Sequence, residues 1–142
     1  MYKRILMPLE NSPTDRVIID HVRRLAQEMG SKVLLLHVAD GFVARHYRAL
    51  NLRESEEMIR DRTYLEQVCA ELAAEGVDAE ALLGAGDPPT EIAATAEREH
   101  CDLIAMATHG HKWLSDLVRG TTATEVRHRT RVPVLMVRAA RR

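Results

Sequence analysis

Residues 33–38 read Val33-Leu34-Leu35-Leu36-His37-Val38, a run that is almost entirely apolar over the length of one β-strand. Strands that are covered by helices on both faces have this continuous hydrophobic character, which is typical of parallel sheets. Four further runs are predicted strands: 5–9, 77–83, 103–107 and 132–137. The run 77–83 alternates apolar residues with Asp78 and Glu80, which predicts a half-exposed edge strand.

Helical patterns separate these strands. Two of them, over residues 17–29 and about 54–75, each carry one apolar stripe and are followed by a glycine. A third is predicted to begin at Asp87-Pro88, because aspartate suits an N-cap and proline suits the first helical position. A fourth is predicted to begin at Gly120-Thr121-Thr122, whereas residues 40–53 are irregular and predict a loop over the top of the sheet.

This alternation of strands and helices predicts a single α/β domain over residues 1–142. We expect a doubly wound, five-stranded parallel sheet with right-handed crossovers and helices on both faces. In such sheets, ligands bind beyond the carboxyl ends of the strands, where the strand order reverses. For the order 3-2-1-4-5 the reversal lies between the first and fourth strands, which also have the most distinctive loops in this sequence.

The composition excludes several classes of protein. A net charge of -1 and a pI near 6.7 give no general attraction to nucleic acid or to anionic membranes, and we expect neither partner. Cys69 and Cys101 cannot form a disulfide scaffold, and both are interpreted as small buried apolar residues. The apolar run that precedes Pro8 is too short for a signal peptide or a membrane span, so we expect a cytoplasmic protein.

The loop after the fourth strand has residues that suit phosphate binding. Gly110 allows the backbone to approach a ligand closely. Gly120-Thr121-Thr122, if it opens a helix, would present free backbone N–H groups and hydroxyls to an anion. An ordinary turn with a threonine N-cap is the alternative interpretation.

The same region resembles the C-terminal signature of the universal stress protein family. Nucleotide-binding members carry G-x-x-G, nine residues, then G and Ser or Thr; here Ala107-x-x-Gly110 is followed, after nine residues, by Gly120-Thr121. Residues 5–12 resemble the family's first strand and its V-D-x-S turn. Residues 35–38 resemble its second strand, and 86–88 the start of its third helix. The resemblance covers essentially the whole chain and implies an adenine nucleotide alpha hydrolase-like fold.

The resemblance also implies a ligand, which is ATP or a related adenine nucleotide. Magnesium would be coordinated by the phosphates, without a metal site built from protein residues. Val38 would contact adenine through its backbone, and Glu10 would occupy the family's acidic position beside adenine and ribose. The implied nucleotide-binding residues are Pro8, Leu9, Glu10, Asn11, Ser12, Val38, Met106, Ala107, Gly110, His111, Gly120, Thr121 and Thr122.

Three departures from the family pattern bear on this assignment. Ala107 replaces the first glycine of the signature, and Glu10 replaces the usual aspartate. Trp113 stands where nucleotide-binding relatives often have glycine. Ala107 and Trp113 favour an alternative, a stress protein of the same fold that binds no nucleotide and acts as a dimeric interaction module. The retained Gly110 and Gly120-Thr121 favour nucleotide binding.

No catalytic residues are predicted. The sequence contains neither a G-x-S-x-G nucleophile elbow nor a P-loop. His109 and His111 form an H-x-H pair without a nearby cysteine or carboxylate cluster, so they are interpreted as loop residues rather than as metal ligands. We therefore expect at most slow ATP hydrolysis, which is the second alternative.

The final strand predicts how the chain assembles. Proline at position 133 favours a sheet edge, and an apolar edge must be covered to prevent aggregation. The resemblance implies that this strand pairs antiparallel with its copy, giving a homodimer through Val132–Val137. The alternative is a strand that is covered by the chain's own charged tail.

Overall fold

The computed structural model describes residues 1–40, 56–108 and 116–139. The strands are β1 (Arg4–Pro8), β2 (Lys32–Asp40), β3 (Ala79–Gly86), β4 (Leu103–Thr108) and β5 (Val134–Arg138). The helices are α1 (Asp15–Met29), α2 (Glu56–Ala74), α3 (Pro88–Arg98) and α4 (Asp116–Arg129). Strands and helices alternate along the chain, as the hydrophobic pattern predicts.

The five strands form one parallel sheet in the order β3-β2-β1-β4-β5. This confirms the doubly wound α/β fold and the predicted reversal of strand order between β1 and β4. β3 lies at one edge, as its alternating pattern predicts, and β5 lies at the other. The register Pro8↔Leu36 is the last β1–β2 pair, so β2 continues past the end of β1.

The core has two parts, one on each face of the sheet. α1 and α2 cover one face, where they pack on alternate residues of β1 and β2, including Ile5, Met7 and Leu35. α3 and α4 cover the other face and pack on the intervening residues, including Leu6 and Leu36. Because both faces are buried, the central strands need continuous apolar sequence.

Local signals set the ends of two helices. Gly30 ends α1 in the left-handed conformation at φ 68°, and its N–H donates to the Ala26 carbonyl. Asp87 caps α3 as predicted: its Oδ2 accepts from the Thr90 hydroxyl at 2.6 Å and from the Thr90 N–H at 3.4 Å.

Some predicted boundaries were wrong. β3 begins at Ala79 rather than at residue 77, and β5 begins at Val134, immediately after Pro133. The larger error concerns α4, which begins at Asp116 and not at Gly120. Gly120, Thr121 and Thr122 therefore lie in its second turn, where backbone N–H groups bond within a helix, so they do not form its free N-terminus. The predicted loop after β2 lies outside the described residues, except for Asp40.

Among the described helices, none combines the length and the apolar character that crossing a lipid bilayer requires.

Candidate functional site

A pocket of about 270 Å³ opens at the carboxyl ends of β1, β2 and β4, where the strand order reverses. It is lined by Pro8, Leu9, Glu10, Asp15, Leu36, His37, Val38, Pro88, Ile92, Met106, Ala107, Thr108, Thr122 and Ala123. Pockets of a few hundred Å³ with mixed apolar and polar walls are typical of small-molecule sites. The position agrees with the general rule for ligands of doubly wound sheets.

One wall of the pocket is apolar. Leu36 and Met106 belong to the core beneath α3 and α4, and Ile92 and Ala123 come from those two helices. Pro88 adds the first residue of α3. Such a wall suits the flat face of an aromatic ring, because it offers apolar contact without buried donors that need partners.

Val38 supplies an exposed backbone edge at the floor of the pocket. The N–H of Lys32 and the carbonyl of Leu36 bond toward the β1 side, whereas the N–H of Val33 bonds toward β3. The backbone groups of successive strand residues point to alternate sides, and the even-numbered residues of β2 face β1. The N–H and carbonyl of Val38 therefore also point to the β1 side. Among the described pairs, the β1–β2 ladder stops before Val38. This donor and acceptor are therefore placed to bind the edge of a planar ligand.

The turn after β1 is folded around the carboxylate of Asp15. This carboxylate accepts from the N–H groups of Glu10 at 3.1 Å, Asn11 at 2.8 Å and Ser12 at 3.3 Å, and from the Tyr64 hydroxyl at 2.7 Å. Asp15 is only 2% exposed. Burial raises the pKa of Tyr64 above its usual range, and the hydrogen bond to Asp15 is the second largest cause. The phenol therefore keeps its hydrogen and remains a donor.

His37 lies on the opposite face of β2 from Val38, and it also lines the pocket. Its Nδ1 is 2.9 Å from the Leu9 carbonyl, and its Nε2 is 3.1 Å from Oδ2 of Asp61 in α2. Oδ1 of Asp61 accepts from the Asn11 side chain at 3.0 Å. This network links β2, α2 and the turn after β1.

The charges around the pocket are mainly acidic. Glu10 and Asp15 line it, and no lysine or arginine is among its described lining residues. Within the described ranges, no group of three or more His, Cys, Asp or Glu side chains is placed to hold a metal ion. These residues fit a neutral heterocycle and ribose better than a bare polyphosphate.

The structure brings together about half of the predicted site residues. Those that line the pocket are Pro8, Leu9, Glu10, Val38, Met106, Ala107 and Thr122. Asn11 and Ser12 do not line it, and their backbone N–H groups turn to Asp15 instead. Gly120 and Thr121 lie within α4, whereas Gly110 and His111 fall outside the described residues.

Sequence reasoning missed the polar residues that shape the turn after β1. Asp15, His37 and Asp61 come from three different elements, and the Asn11–Asp61 contact spans 50 positions of the chain. Ile92 had a usable signal, since it follows Pro88 by one helical turn on the same face of α3.

A parallel sheet with a pocket at its topological switch point defines the class of doubly wound ligand-binding domains. A sequence model described as the Universal stress protein family matches residues 1–138. The chain is 27% identical to Universal stress protein MJ0577 of Methanocaldococcus jannaschii, covering 97% of this chain and 96% of the relative. The solved structure of MJ0577 superposes with a TM-score of 0.82 at 28% identity, covering 100% of this chain and 99% of the other.

Two further solved structures show the same fold at lower identity. A universal stress protein in complex with cAMP has a TM-score of 0.72 at 17% identity, over 98% of each chain. One from Archaeoglobus fulgidus in complex with dAMP has a TM-score of 0.70 at 18% identity, over 96% of this chain and 98% of the other. The chain described here belongs to the universal stress protein family, as the resemblance of its motifs predicts.

Proposed function

We propose that this chain binds an adenine nucleotide, with ATP and magnesium as the preferred ligand. We also propose that it acts as a dimeric stress-response module in the cytoplasm. The observation that carries the proposal is the pocket at the switch point, with the backbone edge of Val38 beside an apolar wall. Adenine offers a donor and an acceptor on one edge and a flat apolar face, so it matches both features. The cAMP and dAMP complexes of two structural relatives support this class of ligand.

The charges of the site support the proposed magnesium ion. A triphosphate that approaches Glu10 and Asp15, which both line the pocket, brings negative charge next to negative charge. A divalent ion carried on the phosphates reduces this repulsion without needing ligands from the protein. Among the pocket residues that the structure describes, none is positioned as a nucleophile beside its base, so the proposed role of the nucleotide is occupancy rather than turnover.

The first experiment asks whether the purified protein carries nucleotide. The protein is denatured, and the supernatant is chromatographed for adenine compounds. Added Mg-ATP should also raise the melting temperature, because a ligand that binds only the folded state stabilises it by mass action. An absence of co-purified nucleotide together with an unchanged melting temperature would favour the alternative, an interaction module without nucleotide.

Val38 offers a specific variant for the same question. Val38→Pro removes the N–H that faces the pocket, whereas the β2–β3 ladder uses the backbone groups of the neighbouring residues. We expect binding of adenine nucleotides to weaken about tenfold or more, which corresponds to one lost hydrogen bond and some crowding. Val38→Ala keeps the backbone donor and serves as the matched control. Equal affinity in the two variants would refute the placement of the base at Val38.

The proposed dimer rests on the β5 edge. Met136 is 43% exposed, and Val134, Leu135 and Val137 are only partly buried, so the apolar strand is incompletely covered within the described chain. A second copy that pairs over Val132–Val137 would cover both the side chains and the open backbone of this edge.

A further inference from the structure

The imidazole of His37 stands between two acceptor oxygens. Nδ1 is 2.9 Å from the Leu9 carbonyl, and Nε2 is 3.1 Å from the Asp61 carboxylate. A carbonyl oxygen can only accept a hydrogen bond, and the same holds for an ionised carboxylate. Both bonds can therefore exist together only when each ring nitrogen carries a hydrogen. This geometry fits the charged imidazolium paired with ionised Asp61.

The pair holds one wall of the pocket at two points. His37 binds the carbonyl of Leu9, and Asp61 binds the side chain of Asn11, whose backbone has φ 64°. Leu9 and Glu10, which line the pocket, lie between or beside these two points. Asp61 is only 7% exposed, so its contacts are shielded from water. The position of residues 9–11 thus depends on groups that come from β2 and α2.

The other elements around His37 contribute acids or apolar groups. Asp15 of α1 and Glu10 of the turn line the same pocket, and Tyr64 of α2 donates to Asp15. On the β3 side, the register partner of His37 is Leu83. In the described part of the chain, His37 thus has Asp61 as its ion-pair partner, and Glu10 and Asp15 line the same pocket.

We propose that His37 is a positioning residue: its charged form, held by Asp61, fixes residues 9–11 as a wall of the pocket and so tightens nucleotide binding. The neutral ring lacks one of the two hydrogens and must release either Leu9 or Asp61. Nucleotide binding should therefore weaken when the ring loses one of these two hydrogens. The inference rests on the proposed function for its ligand, but the network itself is independent of it.

Asp61→Asn gives a sharp test, because it replaces the carboxylate with an amide of the same shape. The amide oxygen can accept from Asn11, and its NH2 group can donate to Nε2 of a neutral ring, which keeps Nδ1–H on Leu9. The variant therefore satisfies every partner without a charge on His37. Asp78→Asn is the matched control, since Asp78 is exposed and precedes β3 at the opposite end of the sheet.

The probe should be cAMP, because its phosphodiester keeps the same charge between about pH 5.5 and about pH 8.5. The terminal phosphate of ATP gains or loses a proton over these pH values. We expect the unmodified protein and the Asp78→Asn variant to bind cAMP about fivefold more tightly at about pH 5.5 than at about pH 8.5. Asp61→Asn should bind with similar affinity at both values. Asp61→Ala, which loses both contacts, should bind weakly at both. If cAMP binds, a pH dependence that persists in Asp61→Asn, or that is missing from the unmodified protein, overturns the proposal.

A measurement without nucleotide separates the two proposals. In the unliganded protein, the NMR amide signals of residues 9–11 should shift with pH together with the signals of the His37 ring. This shared pH dependence should be absent from Asp61→Asn. If the signals behave so but neither cAMP nor ATP binds, the positioning role stands and the proposed function fails. If the signals ignore the His37 titration, the positioning role is refuted whatever the protein binds.

Discussion

Asp15 is the residue whose removal should most damage the wall of the pocket. Its carboxylate accepts four hydrogen bonds, three from the backbone of the turn after β1 and one from Tyr64. A hydrogen bond to a charged group contributes about 1.5–3 kcal/mol, so four independent bonds would contribute about 6–12 kcal/mol, which is comparable with the whole stability of a domain. They are not independent, because Glu10 and Asn11 are exposed residues whose N–H groups can reach water when the turn loosens.

We therefore expect Asp15→Ala to lower the free energy of unfolding by about 3–5 kcal/mol, because each donor that stays buried without a partner costs about 1–3 kcal/mol and only some of the four can reach water. Asp15→Asn keeps the shape and one acceptor oxygen but turns an NH2 group toward donors, so a loss of about 2–3 kcal/mol is expected. Urea unfolding followed by circular dichroism measures both values.

Asp20→Ala is the control for this series. Asp20 lies on the same helix, is exposed, and has an ion pair with Arg23 at 3.8 Å. A surface pair of this kind contributes about 0–1 kcal/mol. If Asp15→Ala costs no more than Asp20→Ala, the carboxylate does not organise the turn, and the interpretation of this wall is refuted.

Four further predictions concern other parts of the molecule. Burial raises the pKa of Cys101 to about 11 and also raises that of Cys69, so both thiols should react with a disulfide reagent at least about tenfold more slowly in the native protein than in urea. The raised pKa of Tyr64 means that its stabilising effect is complete below the usual tyrosine pKa of about 10 and is lost as the pH rises above it. Tyr64→Phe should therefore flatten the alkaline loss of stability seen in urea unfolding. Chelation of magnesium should weaken ATP binding several-fold but leave adenosine binding unchanged, and Glu10→Gln should reduce this difference in calorimetric titrations. Met136→Glu should convert the proposed dimer to a 16.0 kDa monomer in light scattering; an unchanged mass would place the interface elsewhere.

The fold could be predicted from the sequence because its strongest signals are local and repeated. Apart from His37, the apolar runs of β1, β2 and β4 have no polar residues, and α1 ends at a glycine that adopts the left-handed conformation. The start of α4 was predicted wrongly for a related reason. Gly120-Thr121-Thr122 has the local chemistry of a helix start, but the helix already begins at Asp116, and a cap signal cannot by itself exclude an earlier one.

The general location of the site could be predicted from the strand ends, whereas its individual residues came from the family resemblance. Pro8, Val38 and Ala107 are residues that the resemblance implied and that line the pocket beside the switch point. The network around Asp15 and Asp61 could not, because its partners are distant in sequence and each residue taken alone is an ordinary helical acid. Backbone amides that satisfy a buried carboxylate leave no pattern in the sequence beyond the carboxylate itself.

The alternation of β2 connects the proposed site with the proposed positioning residue. Because β2 continues beyond Pro8, its residue 38 directs backbone groups into the space that β1 has left. Its residue 37 places a side chain on the opposite face, against Asp61 of α2. The proposed ligand at Val38 and the proposed proton on His37 would thus act on neighbouring residues of one strand. A shift of β2 by one residue would turn the backbone groups of Val38 away from the β1 side and the His37 side chain away from Asp61, so both proposals depend on the register of β2.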